Sequence, residues 1–136
     1  MKLADIKRGY LGIVLPTEVR SQLLARFPAT FEKVLAHHVT VEFLPGKWPE
    51  GDVQWWLNRD HAVEVVGVAR DDGLETVVVH VNGRAQRADG HRYHITLSLK
   101  PGRKPSESKA LLDVDTNIEP VEPFKLATLP ASIIPY

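Results

Sequence analysis

Apolar and polar positions along the chain fall into two periods, one of strands and one of helices. Gly9 to Pro16 (GYLGIVLP) is an apolar run closed by proline, and Thr17 to Phe27 (TEVRSQLLARF) carries apolar residues at helical spacing. A strand followed by a helix is expected. Thr17 is suited to cap that helix, Glu18 falls in a first turn where the helix dipole favours an anion, and Pro28 stops it. Ala36 to Leu44 (AHHVTVEFL) alternates and runs into Pro45-Gly46, a second strand with a turn behind it. Lys47 to Asp60 holds Trp48, Trp55 and Trp56 beside Pro49 and Gly51, and reads as a loop with one helical turn. Ala62 to Arg70 and Glu75 to Asn82 are β-branched runs around Asp71-Asp72-Gly73, a hairpin pattern. Asn82 to Gly90 is polar and turn-rich, and His91 to Lys100 (HRYHITLSLK) is another alternating strand ended by Pro101-Gly102. Ser106 to Leu112 suits a short helix with Ser106 as its cap. From Asp113 onward, Pro120, Pro123, Pro130 and Pro135 leave room only for short edge strands. The order is that of an α+β chain with a mostly antiparallel sheet.

Length and composition narrow the class. The chain has 136 residues, room for one core and hence a single domain over residues 1–136. With 43% hydrophobic and 25% charged residues it has an ordinary globular mix. Seventeen basic residues balance seventeen acidic ones. No global cationic field would hold long duplex nucleic acid, so any bound phosphate must be gripped locally. The absence of cysteine removes disulfides, thiolate nucleophiles and sulfur-based zinc sites. Lys2, Asp5, Lys7 and Arg8 interrupt the amino terminus, which lacks the apolar core of a signal peptide. No stretch approaches membrane-spanning length. A cytoplasmic protein with no membrane partner is expected, with a monomer as the default.

Two of the alternating strands carry the same tripeptide, His38-Val39-Thr40 and His94-Ile95-Thr96. Side chains alternate along a strand, so His38 shares a face with Thr40, and His94 with Thr96. Val39, Val41 and Phe43, like Ile95, Leu97 and Leu99, fall on the opposite, apolar face. The polar pairs then look outward. Histidine titrates near working pH and can serve as acid or base, while threonine hydroxyls donate to developing charge on phosphate oxygens. Paired on either side of a phosphate, His38 and His94 would support in-line displacement without a metal. Which of the two is the acid stays open.

These motifs, with the leading strand and helix, resemble the 2H phosphoesterase superfamily, named for paired His-x-Thr or His-x-Ser motifs on two strands of an internally duplicated α+β fold. The resemblance runs from roughly Gly9 to Lys100. It implies a mostly antiparallel sheet lining a central cleft, with helices packed outside. It also implies a metal-independent phosphodiesterase that hydrolyses a 2′,3′-cyclic phosphate of RNA ends or nucleotides, or a cyclic or 2′-5′-linked oligonucleotide. His38, His94, Thr40 and Thr96 match the family pattern and would be catalytic, with no cofactor and no metal. The partner would be a nucleotide or an RNA end. Two other classes remain open: a non-catalytic module that holds a nucleotide or RNA end in the same cleft, and a metal-dependent hydrolase.

Strand parity adds weaker candidates. Arg92, Ser98 and Glu42 fall on the motif faces, and Arg92 is a candidate phosphate contact. Tyr10 shares a face of the first strand with Gly12; it could stack on a base, with Gly12 leaving space beside it, or pack in the core. His37 points away from His38 by parity, His80 reads as a sheet histidine, and His61 and His91 sit at loop ends. Metal binding through His37, His38, His91 and His94 matches no zinc motif.

Overall fold

In the computed structural model, which describes residues 9–44 and 50–135, the chain forms eight strands and three helices. In chain order these are β1 (Gly9–Val14), α1 (Thr17–Arg26), β2 (Lys33–Val34), β3 (His38–Leu44), α2 (Glu50–Leu57), β4 (Asp60–Arg70), β5 (Leu74–Val81), β6 (His94–Leu99), α3 (Ser108–Leu112), β7 (Ile118–Pro130) and β8 (Ser132–Pro135). They build two antiparallel sheets, one ordered β3-β1-β8 and the other β2-β6-β5-β4-β7. The expected α+β class, with a mostly antiparallel sheet, holds. The turn at Pro45-Gly46 and Trp48 lie outside the described residues.

The sheets share one core because the alternation of β1, β3, β4, β5 and β6 turns a continuous apolar face inward. Leu11, Ile13, Val39, Val41, Val63, Val65, Val77, Val79, Ile95 and Leu97 are buried in a single cluster with Leu23 of α1 and Val53 of α2. Truncating one such leucine or isoleucine to alanine costs about 2–5 kcal/mol. A smaller cluster joins Ala69 and Val78 to Leu112, seating α3 on the other face of the larger sheet.

Several local expectations are corrected. Pro16, not Thr17, is the N-cap of α1, and no side chain bonds the open amides there. Ser106 does not cap α3: it belongs to a 3-10 turn, Pro105–Glu107, that leads into the helix. The stretch read as a loop with one helical turn contains the eight-residue α2, whose Val53 is buried. The tail forms the expected short edge strand in the four-residue β8, but also the thirteen-residue β7, longer than its prolines suggest. Its prolines are tolerated because β7 is an edge strand, with register shifts against β4 beside them. His61 is not at a loop end but inside β4, fully buried. It stacks on Trp56 with ring centroids 4.3 Å apart, contacts the Trp56 carbonyl through Nε2 at 2.8 Å and meets the Asn82 amide at Nδ1 at 2.9 Å.

The crossing between sheets positions the site. Leu35 and Ala36 donate to the Leu97 and Thr96 carbonyls of β6, and one residue later the His37 carbonyl accepts from Leu15, just beyond β1. Ala36 makes the switch with φ of 49°, a left-handed conformation costly for a residue with a Cβ. Arg20 of α1 secures the crossing by donating to the Leu35 carbonyl at 3.0 Å. The chain thus leaves β6 and enters the other sheet at His38, bringing both His-x-Thr strands to one place.

Candidate active site

A cleft of about 410 Å³ opens between the sheets. His38, Thr40, His94 and Thr96 all line it, together with Tyr10, His37, Phe43, Arg87, Ser106 and Lys109. The four motif side chains therefore share one cavity. Tyr10, drawn from the sequence as either a base-stacking group or a core residue, lies in the cleft with its ring 4.7 Å from that of His38. It does so over Gly12, where a Cβ would stand 3.1 Å from the Tyr10 ring and 3.0 Å from the Val39 carbonyl oxygen.

The first motif strand departs from simple alternation. Gly12 pairs with Thr40 and Leu11 with Glu42, so Val41 is an extra residue in a bulge. Beyond a bulge the faces exchange. Phe43, expected on the apolar face, comes onto the cleft wall opposite Tyr10, and Glu42 leaves the face of His38. A similar shift at Leu97 removes Ser98 from the cleft. Ser98 is buried, donates to Glu75 and accepts from the Phe31 amide.

Arg92 is also corrected. It lies before β6, and its guanidinium donates to the Leu112 carbonyl and to the Asp115 carboxylate, outside the cleft lining. It ties the end of α3 to the sheet. The cation that enters the cleft is instead Arg87, buried and held by both oxygens of Asp89, from Nε at 3.0 Å and Nη2 at 2.5 Å. Lys109 of α3 joins it. The Arg87 guanidinium carbon stands 5.7 Å and the Lys109 Nζ 4.6 Å from the Phe43 ring centroid. Arg87, Lys109 and Phe43 carried no signal in the sequence: Arg87 sits in a polar turn, Lys109 on a five-residue helix, and Phe43 behind a bulge that alternation hides.

The two histidines differ in what their second ring nitrogen meets. His94 Nδ1 lies 2.9 Å from the Arg92 carbonyl oxygen. A carbonyl only accepts, so this nitrogen carries a proton and Nε2 is bare in the neutral ring. Burial lowers the His94 pKa, opposed by that hydrogen bond and reinforced by Arg87, Lys109 and His91. His38 Nδ1 lies 2.9 Å from His37 Nδ1. Burial, then the charges of His37 and His94, push His38 down to about 4. His37, expected to point away, lines the cleft beside His38, since it precedes β3 and the alternation of that strand begins only at His38.

The threonines differ as well. Thr96 Oγ1 lies 2.9 Å from the buried Ser108 hydroxyl, whereas the Thr40 side chain has no hydrogen bond among the described residues and borders the cleft. His91 lies beside Asp113 at 3.3 Å, and His80 is on β5 opposite Glu64. Among the described residues no group of three or more histidines or carboxylates gathers as a metal site. No described helix is long and apolar enough to cross a membrane.

No family model and no curated protein matches the sequence. Among solved structures the chain is similar to a fungal RNA kinase, with a TM-score of 0.54 at 15% identity. The match covers 97% of this chain and 42% of that one. At this identity the likeness is one of fold: the two-sheet α+β architecture that carries the cleft recurs within a stretch of less than half of that RNA kinase.

Proposed function

We propose that the chain is a 2H-type phosphodiesterase that hydrolyses a 2′,3′-cyclic phosphate at an RNA or nucleotide end, or a cyclic or 2′-5′-linked oligonucleotide, without a metal. The observation that carries this reading is the convergence of His38, Thr40, His94 and Thr96 from two different sheets on one cleft that also holds two cations. Net charge of zero favours a small or terminal substrate over a long duplex, with Arg87 and Lys109 as the cations that line the cleft. The likeness in fold to part of a protein named as an RNA kinase supports an RNA end as the substrate class.

Hydrogen-bond partners divide the labour. His94, its Nδ1 proton held by the Arg92 carbonyl, presents Nε2 as the base that takes a proton from the attacking water. As the water oxygen bonds to phosphorus, the bond to the leaving ribose oxygen breaks, and His38 supplies that oxygen with a proton from Nε2. Thr40 and Thr96 donate to the non-bridging oxygens, and Arg87 and Lys109 offset the charge that develops there. Tyr10 and Phe43 provide apolar walls on which a base can stack. The product is a phosphomonoester.

The test is incubation of pure protein in chelator with nucleoside 2′,3′-cyclic monophosphates, a cyclic-phosphate-ended oligoribonucleotide, cyclic dinucleotides and 2′-5′ oligoadenylate. Cleavage that disappears in both His38→Ala and His94→Ala is the expected result. Binding of a phosphate-ended RNA without turnover would make the cleft a recognition site, and activity restored only by added metal would make the protein a metal-dependent hydrolase.

A further inference from the structure

A general acid must hold a proton when its turn comes, yet burial and two neighbouring imidazoles disfavour a charged His38. The groups facing it are Tyr10 from β1, His37 before β3 and His94 from β6, with Arg87 and Lys109 in the same cleft. None is a carboxylate that would stabilise an imidazolium. His37 is the exception in its exposure to solvent, and its Nδ1 lies 2.9 Å from His38 Nδ1. Two imidazole nitrogens at that separation must share a proton, one donating and the other accepting.

We propose that His37 and His38 form a proton-relay dyad, in which solvent-exposed His37 donates through Nδ1 and so holds His38 as the Nε2-protonated ring that faces the leaving oxygen. The inference rests on the phosphodiesterase reading above and assigns His37 a positioning and proton-supplying part that neither His-x-Thr motif contains. In the reaction, His38 gives its Nε2 proton to the leaving ribose oxygen as the phosphorus-oxygen bond breaks. His38 Nδ1 takes the shared proton at the same time from His37, which enters as an imidazolium with a proton on each nitrogen and is left as the neutral Nε2-protonated ring, so His38 stays uncharged throughout. Water meanwhile gives its proton to His94 Nε2 and its oxygen to phosphorus. Afterwards His94 releases a proton to solvent, solvent returns one to His38 Nε2, and the shared proton goes back to His37. The dyad explains why a histidine so poorly able to carry charge can still act as an acid.

The relay predicts a dependence on the leaving group that a packing role would not produce. Wild type and His37→Gln are compared on a nucleoside 2′,3′-cyclic phosphate, whose ribose oxygen must be protonated, and on a 2′-deoxynucleoside 3′-(para-nitrophenyl phosphate), whose phenolate leaves unprotonated. His37→Gln should lower kcat on the first by about tenfold or more, a part of the roughly hundred- to ten-thousandfold that a general acid is worth. On the second it should stay within about twofold of wild type. An equal loss on both substrates, or none on the first, overturns the dyad. No wild-type turnover of either substrate, nor of any other member of the panel above, overturns the phosphodiesterase reading and the dyad's role with it.

Nitrogen NMR of the imidazole rings supplies a readout besides activity. His38 should carry its proton on Nε2 in the wild type and lose that preference in His37→Gln. A wild-type His38 protonated on Nδ1 overturns the dyad whatever the turnover shows.

Discussion

The hydroxyl oxygens of Thr96 and Ser108 lie 2.9 Å apart, joining a motif threonine of β6 to the first residue of α3. If Ser108 donates in that pair, the Thr96 hydrogen is directed to the cleft; if Ser108 accepts, Thr96 has no proton left to give a phosphate. A ligand with anionic oxygens selects the first arrangement. Thr96→Ala should therefore reduce kcat about a hundredfold, the worth of one transition-state donor, and Ser108→Ala on the order of tenfold by loosening the donor's direction. Steady-state kinetics check both, with the loss expected in kcat and little change in KM. A Ser108→Ala protein with wild-type kcat would show that Thr96 orients itself.

Tyr10 depends on a missing side chain. A methyl group on residue 12 would press against the Tyr10 ring at 3.1 Å and against a backbone oxygen at 3.0 Å, and only the ring can give way. Gly12→Ala should push Tyr10 away from His38 and raise KM for base-bearing substrates severalfold, while a substrate without a base is unaffected. Comparing a cyclic nucleotide with a simple alkyl cyclic phosphate reads the difference.

Much of this site was legible from alternation alone. His38 with Thr40 and His94 with Thr96 obey the period of two, and their faces are those the sequence predicts. What alternation could not foresee is where the period breaks. Val41 and Leu97 are bulged residues of ordinary strand-forming type, and nothing in their identity distinguishes them from paired neighbours. Phe43, Glu42 and Ser98 were misassigned for that reason. His37 escapes alternation for a different reason: it lies just outside β3, and the sequence does not mark His38 as the first paired residue. The length of β7 escaped because Pro120 and Pro123 break a central strand but not an edge strand, and edge position is a property of the whole sheet.

Arg87 is a cation with its direction already set. Asp89 occupies Nε and Nη2, and no hydrogen bond from Nη1 occurs among the described residues. A planar fork held on one side can present its remaining donor to a phosphate at little entropic cost. Arg87→Lys keeps the charge and loses that geometry, and should weaken binding of a phosphate-ended ligand about tenfold or more, since a charge-assisted hydrogen bond is worth roughly 1.5–3 kcal/mol. Asp89→Asn should weaken it as well by releasing the fork. Calorimetric titration with a nucleoside monophosphate measures both, and unchanged affinity in Arg87→Lys would assign phosphate contact to Lys109 instead.

Stability should follow the histidines as pH falls. His38 is pushed from 6.5 to about 4 by folding, mainly through burial. Between these values the unfolded chain binds a proton that the folded protein refuses, so lowering the pH favours unfolding. The contribution is fully present above about pH 6.5 and is lost as pH drops toward 4. His94 is shifted in the same direction, again chiefly by burial, and adds to the slope. His38→Gln removes one of the two protons taken up on unfolding, so its Tm should fall less steeply than that of the wild type between pH 6.5 and 4. Thermal unfolding followed by circular dichroism across that range decides the matter. Parallel curves would mean that the cleft admits enough water to let His38 titrate in the folded protein as it does in the unfolded chain.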